Sequence, residues 1–123
     1  MGEIQRVEDL EVYKKLFELA IVVNNLSLTF PRFELYELGS QLRRSSNSAP
    51  ANLAEGFNNK HINMYLEGIS RAQAEIREAK HHLYMAYKKT YLNKEKLDEF
   101  ISKYEECSKM LWGLEKSLQK YVN

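Results

Sequence analysis

Four long segments of this chain repeat apolar residues at alternating steps of three and four, a spacing that suits one buried face of a helix and little else. The first spans residues 10–29, with Leu10, Tyr13, Phe17, Ala20, Asn24 (a polar exception) and Leu28 on its stripe, widened by Leu16, Val23 and Leu26. The second spans residues 34–57, with Leu35, Leu38, Leu42, Ser45, Ala49, Leu53 and Phe57. The third, residues 62–90, carries Ile62, Tyr65, Ile69, Ala72, Ile76, Ala79, Leu83 and Ala86. The fourth, residues 94–121, carries Leu97, Phe100 or Ile101, Tyr104, Cys107, Leu111, Leu114, Leu118 and Tyr121. No segment alternates with the period of two that a half-buried strand requires.

Punctuation separates the segments. Asp9 stands where an N-cap would open the first helix, and Phe30-Pro31 closes it, since a residue before proline avoids the helical region. Gly56 with Asn58-Asn59 closes the second, and Asn93 is a natural N-cap for the fourth. Pro50 lies inside the second stripe, which keeps its phase across it. A helix kinked at Pro50 is therefore expected rather than a break. Short connections favour antiparallel neighbours, so the expected fold is all-α: an antiparallel up-down-up-down four-helix bundle, one domain over residues 1–123. With 5 Gly and 2 Pro in the chain, neither an all-β fold nor disorder is expected.

Composition sets limits on place and partner. One cysteine, Cys107, excludes an intramolecular disulfide and suits a reducing compartment. The start, MGEIQRVEDL, does not read as a signal peptide. The apolar run Leu19-Ala20-Ile21-Val22-Val23 falls far short of the ~20 residues of a membrane span. A cytoplasmic protein without membrane attachment is expected. Net charge is +1 but unevenly spread: residues 1–31 carry 3 basic and 5 acidic groups, whereas residues 77–94 set Arg77, Lys80, Lys88, Lys89 and Lys94 against Glu78.

The patterns that carry enzyme chemistry are missing. A di-metal bundle needs two inward Glu-x-x-His pairs and two further Glu, and the chain has one such pair, Glu78 and His81, off the apolar stripe. His81 and His82 are adjacent and point about 100° apart on a helix, so they do not chelate together. No phosphate-binding glycine loop or zinc spacing occurs, and Cys107 sits on the core stripe. No cofactor, metal or small-molecule substrate is expected.

Two surface patterns remain. On the second segment a polar stripe (Glu37, Gln41, Arg44, Ser48, Asn52, Glu55 and Asn59) runs beside the apolar one. A solvated face explains it. So does a partly buried hydrogen-bond network that fixes register, with Glu55 pairing Arg43, Arg44 or a residue of another helix. On the third segment Arg77, His81, Tyr84, Lys88 and Tyr91 step by four, three, four and three, flanked by Lys80 and Lys89. Cations neutralise phosphates and tyrosine stacks on bases, so Arg77, Lys80, His81, Tyr84, Lys88 and Lys89 form a candidate nucleic-acid surface. The alternatives are a solvated face or a subunit contact, and Lys88 and Lys89 also complement the helix dipole. Leu19, Ile21, Val22, Tyr84, Tyr87 and Trp112 lie off the four stripes and suit an oligomer interface or a wider core.

Asp9-Leu10-Glu11-Val12-Tyr13, Phe30-Pro31 with Glu34, Tyr36 and Leu38, Gln41-Leu42-Arg43-Arg44-Ser45, Ser48-Ala49-Pro50-Ala51-Asn52-Leu53-Ala54-Glu55-Gly56 and Ala74-Glu75-Ile76 together resemble a known family. It is the bacterial four-helix-bundle family encoded within intervening sequences of large-subunit ribosomal RNA genes, with relatives among accessory proteins of diversity-generating retroelements. The resemblance implies a non-enzymatic bundle in a ring-like pentamer, with basic surfaces that in some relatives bind nucleic acid or a reverse transcriptase. It also implies architectural roles for Gln41, Arg43, Arg44, Ser48, Pro50, Asn52, Glu55, Gly56 and Glu75. The chain departs from its relatives at Ile69-Ser70-Arg71-Ala72, where they carry a small-residue stretch, so close packing is not expected there. The leading expectation is a homo-oligomeric adaptor for RNA, DNA or a ribonucleoprotein enzyme. A protein-only scaffold is the rival, and a metal-dependent enzyme a remote third.

Overall fold

A computed structural model describes residues 4–122, and among these every regular element is helical. The four long helices are α1 (Glu11–Ser27), α2 (Leu38–Gly56), α3 (Ile62–Lys88) and α4 (Lys94–Gln119). Short 3-10 turns at Val7–Asp9 and Arg32–Glu34 precede α1 and α2. Each helix packs on two neighbours: α2 on α1 and α3, and α4 on α3 and α1. Cross-helix partners run in opposite directions. Arg44 on α2 meets Glu78 on α3, and further along α2 Asn52 meets Gly68. On α3 and α4, Gln73 meets Ser108 and Lys80 meets Glu105. Both pairs of helices are therefore antiparallel.

The helix ends differ from the sequence expectation for local reasons. Asp9 does not cap α1. It accepts from the Arg6 N–H (3.2 Å) inside the first 3-10 turn, and Leu10 takes the N-cap position without a side-chain bond. The second helix begins at Leu38 rather than near residue 34, because Arg32–Glu34 winds as a 3-10 turn after Pro31. The Glu34 carboxylate then accepts from the Leu38 N–H (3.3 Å), serving one of the free donors at the start of α2. Asn93 caps α4 as its sequence suggests, accepting from the Lys96 N–H (2.8 Å). The α2 helix is helical on both sides of the buried Pro50.

Burial follows the apolar stripes closely on α2, α3 and α4. Leu42, Leu53, Ile69, Ile76, Leu83, Tyr104, Cys107 and Leu111 are fully enclosed. On α1 the buried face is rotated from the stripe read: Leu10 and Ala20 of that stripe, and Leu16 and Val23 that widened it, are core, but Phe17 and Leu28 are not. Val12, Leu16, Leu19, Ala20, Val23 and Ser27 face the core, whereas Phe17 is 52 % exposed and Leu28 points outward. Leu19, read as a spare apolar residue, is core. Tyr121, placed on the α4 stripe, is exposed beyond the helix end.

The α2 and α3 helices approach each other closely at Gly56 and Gly68. A Cβ built on Gly68 would stand 2.8 Å from the Asn52 carbonyl oxygen and 3.2 Å from the Gly56 Cα. Close packing on the third helix thus occurs one residue before Ile69-Ser70-Arg71-Ala72, where the departure from the family pattern argued against it.

Candidate functional site

The α3 helix carries the candidate basic stripe, and its C-terminus is set by a Schellman turn. The Thr90 N–H donates to the Tyr87 carbonyl and the Tyr91 N–H to the Ala86 carbonyl, both at 2.9 Å. Thr90 holds the left-handed position with φ of 70°, a conformation glycine adopts more cheaply than a β-branched residue. This turn carries Lys89 and Tyr91 back onto the Arg32–Glu34 segment. There the Glu34 carboxylate, only 2 % exposed, accepts from the Lys89 ammonium (2.8 Å) and the Tyr91 hydroxyl (2.6 Å). The Tyr91 ring packs on Phe30 with centroids 5.1 Å apart. Lys89 and Tyr91 hold Glu34 below the usual carboxylate range, against the opposing effect of its burial. The same hydrogen bond raises the Tyr91 hydroxyl above its ordinary value.

These contacts divide the candidate nucleic-acid residues. Arg77, His81, Tyr84 and Lys88 lie on the exposed face of α3. Among the described residues no carboxylate comes within 4 Å of the Arg77 or Lys88 cation. Lys89 is instead engaged by the buried Glu34, and Lys80 is half-buried with its ammonium 3.5 Å from Glu105 on α4. Lys80 and Lys89 of the candidate set thus each have a carboxylate partner, which Arg77 and Lys88 lack among the described residues. Tyr91 turns inward and leaves the stripe.

The candidate polar network resolves into separate pieces. Arg43 donates to the Leu35 carbonyl (2.6 Å) and the Ser27 hydroxyl (3.0 Å), tying the start of α2 to the end of α1. Arg44 pairs with Glu78 and lies 3.9 Å from Glu75, both on α3. Asn52 donates its amide to the Ser48 carbonyl one turn earlier (2.8 Å). Gln41 and Glu55 are exposed, and among the described residues Glu55 pairs with neither Arg43 nor Arg44. One connected network is therefore replaced by two ties between helices and a local bond. A sequence reading misses Glu34 as the hub, because a glutamate after Phe30-Pro31 looks like an ordinary loop residue.

Glu78 and His81, the lone Glu-x-x-His pair, do not converge. Glu78 holds Arg44, and the His81 ring lies edge-on to His82, centroids 5.3 Å apart. Among the described residues no three His, Cys, Asp or Glu side chains are placed to hold a metal ion. Burial pushes the Cys107 thiol up to about 11, which leaves it protonated and unreactive near neutral pH. Among the described residues no helix is long and apolar enough to cross a membrane.

His82 is buried, and burial lowers its pKa, with Arg44 and His81 acting in the same direction and Glu78 opposing. A histidine held neutral contributes stability that is fully present above its unfolded pKa near ~6.5. That contribution declines as pH falls through this value towards the lowered one. Urea midpoints should therefore fall from about pH 7 to about pH 5, and His82→Gln should flatten this decline. An unchanged slope in the variant would remove His82 as its source.

A family model described as 23S rRNA-intervening sequence protein matches residues 8–113 of the chain. No curated protein matches it.

Proposed function

We propose a function from one premise: the chain belongs to the 23S rRNA-intervening sequence protein family. It acts as a non-enzymatic, self-associating helical adaptor that binds nucleic acid through the outer face of α3. One observation carries this reading. Most exposed cations of the bundle lie beside a carboxylate, among them Lys14, Lys15, Arg71, Lys94, Lys96 and Lys103. Among the described residues Arg77 and Lys88 stand without one, as do Arg32, Lys60, Lys109, Lys116 and Lys120, but Arg77 and Lys88 lie three turns apart on a stripe that also shows His81 and Tyr84. Cations left free in this way suit phosphates, and the tyrosine between them suits a base.

A second observation supports self-association. Phe17, Ile21 and Leu28 are exposed along one face of α1, and water is a poor neighbour for such a stripe. A copy of the same chain covering that face brings several α3 stripes to one ligand, so that weak contacts add through avidity. Sedimentation velocity is expected to show an assembly larger than the monomer.

The test of binding is fluorescence anisotropy of labelled RNA and DNA across a salt series. Arg77→Glu with Lys88→Glu is expected to weaken binding and lower the log–log salt slope by about two, one for each phosphate contact. Absence of binding at low salt, or a slope that the double variant leaves unchanged, overturns the reading.

A further inference from the structure

We propose that the groove between α3 and α4 beside Trp112 is the base-stacking platform of a single-stranded nucleic-acid track, with Trp112 as its base-binding side chain. This rests on the reading above and names both the strandedness of the ligand and the residue that holds a base.

Trp112 is the chain's one tryptophan and is 59 % exposed on α4. Exposing an indole is unfavourable unless something else covers it, since aromatic side chains bury the largest apolar areas. Its surroundings favour an anionic, planar partner over a second protein. The groove beside it is lined by Ser70, Gln73, Arg77, Ser108, Lys109 and Glu115, which set two cations against one carboxylate. Gln73 donates its amide to the Ser108 carbonyl (2.9 Å), which ties α3 to α4 along the floor of the groove. The Lys116 ammonium lies 5.3 Å from the indole centroid and adds positive charge at the ring. The groove's one acidic member, Glu115, accepts from Gln119 (3.1 Å).

Arg77 belongs to this groove and to the exposed stripe of α3. The two surfaces therefore join into one track. From Arg77 to Lys88 is eleven residues, about 16 Å of helix at ~1.5 Å per residue. Trp112 and Lys109 extend the track past its Arg77 end. Duplex bases are already stacked on each other and present only edges and backbone to a protein surface. A flat indole set among cations therefore selects unpaired strands.

The single tryptophan makes the test direct, because its emission reports only on residue 112. The full-length chain is titrated with labelled oligo(dT), oligo(U) and a duplex of equal length, reading anisotropy and tryptophan emission together. Saturable quenching by the single strands, weak quenching by the duplex, and a loss of affinity of roughly five- to a hundredfold in Trp112→Ala are expected. Trp112→Tyr is expected to recover part of that loss, which a merely structural defect would not allow. Circular dichroism of Trp112→Ala checks that the fold is retained. If anisotropy shows binding while emission and the Trp112→Ala affinity stay unchanged, the platform is wrong and the binding reading stands. A preference for duplex also overturns the platform. If Trp112→Ala lowers the sedimentation coefficient and leaves oligonucleotide binding intact, the groove is a self-contact and the proposal falls. If no oligonucleotide binds, both readings fall.

Discussion

Gly68→Val is expected to lower the thermal midpoint by about 10–15 °C, from a loss of about 3 kcal/mol in a chain of this size. The first side-chain carbon alone would lie 2.8 Å from the Asn52 carbonyl oxygen and 3.2 Å from the Gly56 Cα. Both are backbone atoms of α2, so no rotamer change relieves the overlap, and the two helices must separate. Valine's two methyls enlarge the overlap. Replacing a mid-helix glycine normally gains up to about 1 kcal/mol in helix propensity, so the measured loss understates the steric penalty. Gly113 on α4 is the matched control. A Cβ there meets nothing within 4 Å, so Gly113→Ala should gain about 0.5–1 kcal/mol. Differential scanning calorimetry of the two variants checks both signs. A Gly68→Val chain as stable as the parent would mean that α2 and α3 do not cross this closely. Gly56, the other half of the crossing, ends the Ser48-to-Gly56 stretch, one of those that resemble the family, and packing supplies its physical reason.

Leu16→Ala is expected to cost about 2–5 kcal/mol in urea unfolding, whereas Phe17→Ala should cost under about 1 kcal/mol. Leu16 is fully buried and its truncation leaves a cavity among packed side chains. Phe17 is half exposed, and its ring meets Tyr13 with centroids 5.9 Å apart, a contact confined to one helix face. The larger apolar residue is thus expected to matter less for folding. Its loss should appear instead in sedimentation, as weaker self-association, if the exposed α1 stripe is covered by another copy. Equal stabilities for the two variants would contradict the observed rotation of α1.

The candidate interface residues were only partly readable for a related reason. Arg77, His81, Tyr84 and Lys88 share an exposed face as their spacing implies, because one helix fixes their relative directions. Lys80 and Lys89 sit on the same helix, and nothing local separates them from their neighbours. Their commitments are made by Glu105 on α4 and by Glu34 from the turn before α2, 25 and 55 positions away in the chain. Arg44 meets Glu75 and Glu78 for the same reason: the antiparallel pairing of α2 and α3 brings them together. Trp112 read simply as a spare apolar residue until Ser70, Gln73 and Arg77 of α3 were placed beside it.

Periodicity alone established the number of helices, their approximate limits and three of the four buried stripes. Leu42, Ile76 and Leu111 are enclosed where their spacing puts them, since each of those helices has one dominant apolar face. On α1 two apolar stripes lie about 100° apart, one through Leu16 and Val23 and the other through Phe17 and Leu28. Both satisfy the three-four spacing, and a pattern that repeats equally well in two phases carries no information about which phase is buried. Packing against α2 and α4 made that choice, along with the pairing of charges across helices and the glycine crossing. All three depend on which surfaces meet, and that is a property of residues distant in the chain.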